Sequence, residues 1–127
     1  MASGKAVWIN FFASWCPPCQ GETPVLREVA EKYKDKGLEV VAVSVQETTP
    51  DDVRAYADRY RLGYTIGFDG SGHVLREYRV FALPTQFFID PDGIIQVVVP
   101  GPVDEQGARA LIESMLTEAP SPSPTAS

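Results

Sequence analysis

The chain is expected to fold as one α/β domain with a central mixed sheet flanked by helices, and three observations lead there. A short apolar run at 6–12 (AVWINFF) is followed by a helical pattern at 17–36 and a second apolar run at 38–45 (LEVVAVSV). That succession has the length of a strand, a crossover helix and a parallel strand, joined in the right-handed sense. Further on, Thr85 to Asp90 and Ile94 to Val99 flank Asp90-Pro91-Asp92-Gly93, where proline presets a turn and glycine accepts a positive φ. These two segments read as a hairpin.

In chain order, 6–12 is rich in β-branched and aromatic residues and reads as a buried strand interrupted only by Asn10. The helix that follows is expected from Pro17 to Lys36, with Val25, Val29 and the Lys32 stem or Tyr33 inward, and Gly37 as its cap. Pro24 falls inside it and is expected to kink it. After the strand at 38–45, Thr49-Pro50-Asp51-Asp52 opens a helix to about Arg61 through a capping hydroxyl, proline at the first position and acids in the first turn. Tyr64 to Phe68 is expected as a short strand and Ser71 to Arg79 as a short helix. Asp104 to Glu118 closes the domain as an amphipathic helix with Ala108, Leu111, Ile112 and Met115 inward. The domain thus spans 1–118, and 119–127, ending in PSPSPTAS, is expected to be a disordered tail.

The chain has 127 residues, with 44% hydrophobic and 22% charged, an ordinary globular composition. A domain of this size buries roughly two thirds of its unfolded surface and does not need a disulfide to fold. The net charge of -6 argues against nucleic acid as a partner, because phosphate binding needs clustered Lys and Arg. No stretch approaches the roughly 18 apolar residues of a membrane span, and residues 1–5 lack a signal-peptide core. The chain as written is therefore expected to be soluble. Its first strand begins almost at once, as expected of a domain cut from a longer exported or anchored protein.

Chemistry concentrates in Trp15-Cys16-Pro17-Pro18-Cys19, which holds the only two cysteines. They sit at the carboxyl end of the first strand, the edge where open α/β sheets place their sites. At a helix start the backbone N–H groups and the dipole favour a thiolate at Cys16, and Pro17 occupies the first turn without losing a needed donor. Cys19, one turn later and deeper, is suited to attack a mixed disulfide formed by Cys16. The Pro17-Pro18 pair leaves one fewer N–H near the sulfur than Gly-Pro would. Three plainer readings compete. A structural zinc site needs four ligands, and one CxxC with the lone His73 does not build the usual set. A structural disulfide would close a very short loop and restrict the unfolded chain little. Two unpaired core cysteines would make no use of the helix start.

The run Val7 to Pro24, together with Leu83-Pro84-Thr85-Gln86-Phe87-Phe88-Ile89-Asp90-Pro91-Asp92-Gly93, resembles thioredoxin-fold proteins of the TlpA and ResA type, over about residues 5 to 118. These are anchored or exported bacterial thiol-disulfide oxidoreductases, often reductases in cytochrome c maturation or of copper-site cysteines. The resemblance implies a thioredoxin-like fold in which Gln46 to Gly72 is an inserted helix and strand. It implies that Pro84 is a cis-proline facing the cysteines, with the Leu83 backbone offered to a substrate strand. It also implies that Glu22 influences the dithiol and its protons, whereas by position alone it is surface charge favoured by the helix dipole. Asn10 stands where many thioredoxins carry a buried carboxylate, and an amide takes up no proton at neutral pH.

Trp15 is expected to flank the dithiol as part of a docking surface, the alternative being a plain core tryptophan, and Phe81 is placed with it beside Pro84. Trp8 is better read as packing and His73 as an exposed loop residue. The expected function is reduction of protein disulfides by Cys16, Cys19 and Glu22, with Trp15, Pro17, Pro18, Phe81, Leu83 and Pro84 binding substrate. No metal and no cofactor beyond the dithiol are expected. The expected partners are a disulfide-containing protein and an upstream electron-donor protein, acting on a monomer outside the cytoplasm and reaching a membrane only through a segment absent from this chain. Two other functions compete: a thiol peroxidase of peroxiredoxin type, which wants Thr and Pro ahead of the reactive cysteine where this chain has Ala13 and Ser14, and a copper-binding or chaperone module.

Overall fold

Strand β1 (Ala6–Phe12) is buried along its whole length, which explains its nearly continuous apolar run: it lies at the centre of the sheet with helices over both faces. The computed structural model describes residues 4–45, 49–69 and 72–117. Around β1 the strands β2 (Leu38–Val45), β3 (Thr65–Asp69), β4 (Thr85–Ile89) and β5 (Ile95–Val99) are arranged in the order β3-β2-β1-β4-β5. The pairs β1–β2 and β2–β3 are parallel, and β1–β4 and β4–β5 antiparallel. The mixed sheet expected from the sequence is therefore present, with α2 (Pro50–Tyr60) and β3 following β2 as the inserted pair.

Three helices pack on one face. Leu26, Val29 and Tyr33 of α1 (Pro17–Tyr33) meet Trp8, Val40 and Phe88 of the sheet together with Ala108, Ile112 and Met115 of α4 (Glu105–Thr117). Toward the carboxyl end of β1, Val53 and Tyr56 of α2 pack with Phe12, Ala42 and both cysteines. The short helix α3 (His73–Glu77) covers the opposite face, where Val74, Leu75 and Tyr78 lie against Val7, Ile9, Phe11 and Phe87. No described helix is long and apolar enough to cross a membrane.

Several boundaries differ from expectation. Helix α1 ends at Tyr33, and Lys34–Lys36 form a 3₁₀ turn closed by Gly37 at φ 99°, a conformation that suits glycine. The inward stripe of α1 runs through Cys19, Glu22, Thr23, Leu26, Val29 and Tyr33. Val25 is only half-buried and Lys32 is exposed, because polar Glu22 and Thr23 occupy inward positions that an apolar pattern passes over. The helix continues through Pro24. Strand β3 starts one residue later than expected, as does β5, and α3 is shorter than 71–79. Leu111 is half-buried beside the inward Ala108, Ile112 and Met115. The tail expected at 119–127 lies outside the described residues.

Helix α3 ends in a pair of reversed bonds, Val80 N–H to Leu75 C=O at 3.0 Å and Arg79 N–H to Arg76 C=O at 3.1 Å. That closure puts Arg79 at φ 55°, where glycine is the usual residue and any other side chain costs about 1 kcal/mol.

Candidate active site

Strand β1 delivers the chain to the sheet edge, and Ala13-Ser14-Trp15 turn it into α1. Cys16 is the N-cap of that helix, with extended backbone. Its N–H donates to Ala13 C=O at 3.1 Å, and its own carbonyl accepts from Gln20 N–H at 3.0 Å. Pro17 and Pro18 have no N–H, so the first-turn donor left for the sulfur is Cys19 N–H, which reaches Cys16 Sγ at 3.4 Å. On its other side Cys16 Sγ lies 3.8 Å from the carbonyl oxygen of Leu83, toward which the thiol donates. The Leu83–Pro84 peptide is cis.

Cys16 opens onto a groove of about 820 Å³ lined by Trp15, Pro17, Pro18, Phe81 and Leu83 from the expected site. Trp15 and Phe81 are strongly exposed there. Pro84 is buried directly behind Leu83. Cys19 is not among the groove residues; it lies inside the cluster formed by Phe12, Ala42, Val53 and Tyr56. Burial pushes the Cys19 thiol well above its ordinary pKa, the hydrogen bond to Cys16 and the Glu22 charge add to this, and a backbone bond from Ala13 opposes it. Thr23 Oγ1 donates to the Cys19 carbonyl at 2.9 Å. That uses its single proton, so Tyr56 is the donor in the 2.5 Å contact between their hydroxyls. Burial pushes the Tyr56 phenol up to about 12.

Glu22 lies one helical turn beyond Cys19 and is almost wholly buried. Three N–H groups meet its carboxylate. Asn10 Nδ2 donates to Oε1 at 2.9 Å, while Gln86 Nε2 at 2.7 Å and the Val103 backbone N–H at 2.8 Å donate to Oε2. Burial raises the Glu22 pKa, and the bonds from Val103, Gln86 and Asn10 oppose that rise. The position that dipole preference alone would leave on the surface is an interior carboxylate.

The sequence reading missed Gln86, the residue that organises this interior. Its side chain is fully buried. Gln86 Oε1 accepts from Trp8 Nε1 and from Asn10 Nδ2, both at 2.8 Å. Its Nε2 donates to Glu22 and to the Gly101 carbonyl at 3.0 Å. Indole N–H is only a donor, so Trp8 dictates which end of the Gln86 amide faces Glu22. Trp8 therefore does more than pack against Phe88, onto which its ring stacks at 5.2 Å. A signal was present: glutamine inside the apolar run Thr85-Gln86-Phe87-Phe88-Ile89 must find partners wherever it is buried.

Of the nine expected site residues, Trp15, Cys16, Pro17, Pro18, Phe81 and Leu83 line the outer groove, Pro84 is buried behind Leu83, Cys19 lies in the apolar cluster beneath Cys16, and Glu22 lies in an inner polar pocket. His73 is exposed and 3.9 Å from Glu77, away from groove and pocket. No cluster of three His, Cys, Asp or Glu side chains suited to a metal occurs among the described residues.

This chain is similar to a thiol-disulfide oxidoreductase ResA of Bacillus thuringiensis, 40% identical over 96 residues, which cover 75% of this chain and 55% of that protein. The chain spans about half the length of the curated relatives it matches. Among solved structures it is similar to a putative thiol:disulfide interchange protein DsbE from Chlorobium tepidum, with a TM-score of 0.84, 32% identity and coverage of 91% of this chain and 82% of that one. A putative thioredoxin from Neisseria meningitidis matches with a TM-score of 0.87 and 28% identity over 94% of this chain and 79% of that one. These structures share its thioredoxin-like arrangement of sheet and helices. Residues 1–98 match the model of the AhpC/TSA family, and with these likenesses the chain belongs to that family.

Proposed function

We propose that this domain is a thiol-disulfide oxidoreductase that reduces protein disulfides. The observation that carries the reading is the unequal placing of the dithiol: both cysteines belong to one apolar cluster, but only Cys16 lines the open groove, with Cys19 one turn behind it. Cys16 as thiolate attacks one sulfur of a substrate disulfide. That S–S bond breaks, a Cys16–substrate bond forms, and the released substrate thiolate takes up a proton. Cys19 gives its proton to Glu22 and attacks Cys16 Sγ, so the mixed disulfide breaks and the second substrate thiol leaves. Two electrons and two protons pass to the substrate, and the protein is left as the Cys16–Cys19 disulfide. An upstream dithiol protein then reduces it.

The raised pKa of Cys19 keeps the resolving sulfur protonated until Cys16 has formed the mixed disulfide. The Leu83 carbonyl beside Cys16, with Trp15 and Phe81 at the groove rim, supports an extended substrate segment lying across the sulfur. The dithiol is the whole redox equipment in this reading, and the setting is extracytoplasmic, in a pathway such as cytochrome c maturation.

Insulin disulfide reduction with dithiothreitol as donor tests it. The wild type is expected to accelerate reduction and Cys16→Ser to abolish the acceleration; activity unchanged in that variant would overturn the reading. Rapid stoichiometric consumption of hydrogen peroxide in place of insulin reduction would point to a thiol peroxidase.

A further inference from the structure

Resting on that reading, we propose that the substrate segment docked beside Cys16 is acidic: a protein chain carrying Asp or Glu next to the disulfide to be reduced. The groove holding Cys16, Trp15, Phe81 and Leu83 is also lined by Arg76 and Arg79, and no carboxylate lines it among the described residues. The chain as a whole carries 17 acidic against 11 basic side chains, so this edge runs opposite in sign to the average surface. Of the acids near α3 in sequence, Asp69 is buried and its carboxylate accepts the Val74 and Leu75 N–H groups at the start of the helix.

Arg79 occupies the left-handed position that closes α3, where glycine would fit without strain, and its side chain lies on the rim of the groove. Guanidinium groups pair with carboxylates in a planar two-point fashion. The apolar rim grips the chain, and the two arginines select its charge and speed its arrival.

Three synthetic peptides test this, each with one disulfide and the same apolar residues, flanked by Glu-Glu, Ser-Ser or Lys-Lys. Rates with pre-reduced protein are divided by each peptide's rate with dithiothreitol, which removes differences in intrinsic reactivity. The full chain is expected to favour the Glu over the Lys peptide by about tenfold at low salt, falling toward parity near 0.5 M salt. The Arg76→Glu/Arg79→Glu variant is expected to invert the ratio. Arg79→Gly, which suits the backbone, is expected to lower the ratio without lowering the melting temperature. A wild-type ratio of one while the Ser peptide is reduced, or a preference that survives in the arginine variants, would overturn the acidic partner and leave the reductase standing. Failure to reduce all three peptides would overturn the reductase reading and this proposal with it.

Discussion

The Gln86 amide and the Glu22 carboxylate meet at 2.7 Å in the interior of the domain, with Trp8 holding the far end of the amide. A strand residue thus contributes, with burial and the Val103 N–H, to how readily a helix carboxylate behind the dithiol accepts a proton. Gln86→Met keeps most of the volume and removes both ends of the bridge. Trp8 Nε1 and the Gly101 carbonyl lose a partner, so unfolding in urea should show a loss of about 1–3 kcal/mol. Glu22 loses one of three stabilising donors, so the inflection in the pH–rate profile that reports it should move upward. A purely structural defect would lower the rate without moving the inflection.

Glu22 also marks the stability curve. Burial raises its pKa in the folded protein above the unfolded value, so between the two values the folded state holds more protons. The Glu22 contribution is most favourable below the ordinary value of 4.5 and is lost as pH rises through the raised one. The stability of wild type minus that of Glu22→Gln should therefore fall with rising pH across this window. Chemical denaturation of both proteins at a series of pH values checks it; a flat difference would remove the interior carboxylate from the account.

Cys19→Ala removes the resolving thiol and leaves Cys16 facing the groove. The first exchange then has no second step from within the protein, so a covalent complex with a disulfide peptide should accumulate. Non-reducing electrophoresis and intact mass should show one peptide per chain, joined at Cys16, and nothing in the Cys16→Ser/Cys19→Ala double variant.

Phe81 is 92% exposed and buries almost nothing in the folded domain, so Phe81→Ala should change stability by no more than about 0.5 kcal/mol. As a rim anchor for substrate it should matter far more, with KM for a disulfide peptide rising about fivefold. Steady-state kinetics beside a thermal melt separates the two effects.

The sequence made legible what depends on neighbours along the chain. The order of strands and helices follows from periodicity and turn residues, and Cys16 at a helix start follows from an apolar run meeting Pro17. The inner pocket was legible only in part. Glu22 entered through resemblance, because a helical glutamate carries no local mark of burial. Gln86 is 64 residues from Glu22 and 78 from Trp8, and only the β1–β4 register, which sets Asn10 opposite Gln86, brings them together. Tyr56 reaches Thr23 because α2 packs over the carboxyl end of β1, a tertiary fact with no counterpart in the pattern of α2 itself. The same polar residues misled the reading of α1, whose inward stripe passes through Glu22 and Thr23.

The loop leading into α4 has a consequence for how such a centre is tuned. Gly101 supplies a carbonyl and Val103 an N–H to the Gln86–Glu22 pair, so the innermost wall of the proposed redox centre comes from backbone far beyond the cysteines. The Gly101 carbonyl is present whatever side chains the loop carries, and the Val103 N–H for any residue there but proline. Its path, rather than its composition, decides whether the carboxylate is sealed or wetted. Proton affinity behind a fixed Cys-Pro-Pro-Cys can thus drift through insertions and deletions in one connecting segment, with every catalytic side chain left in place.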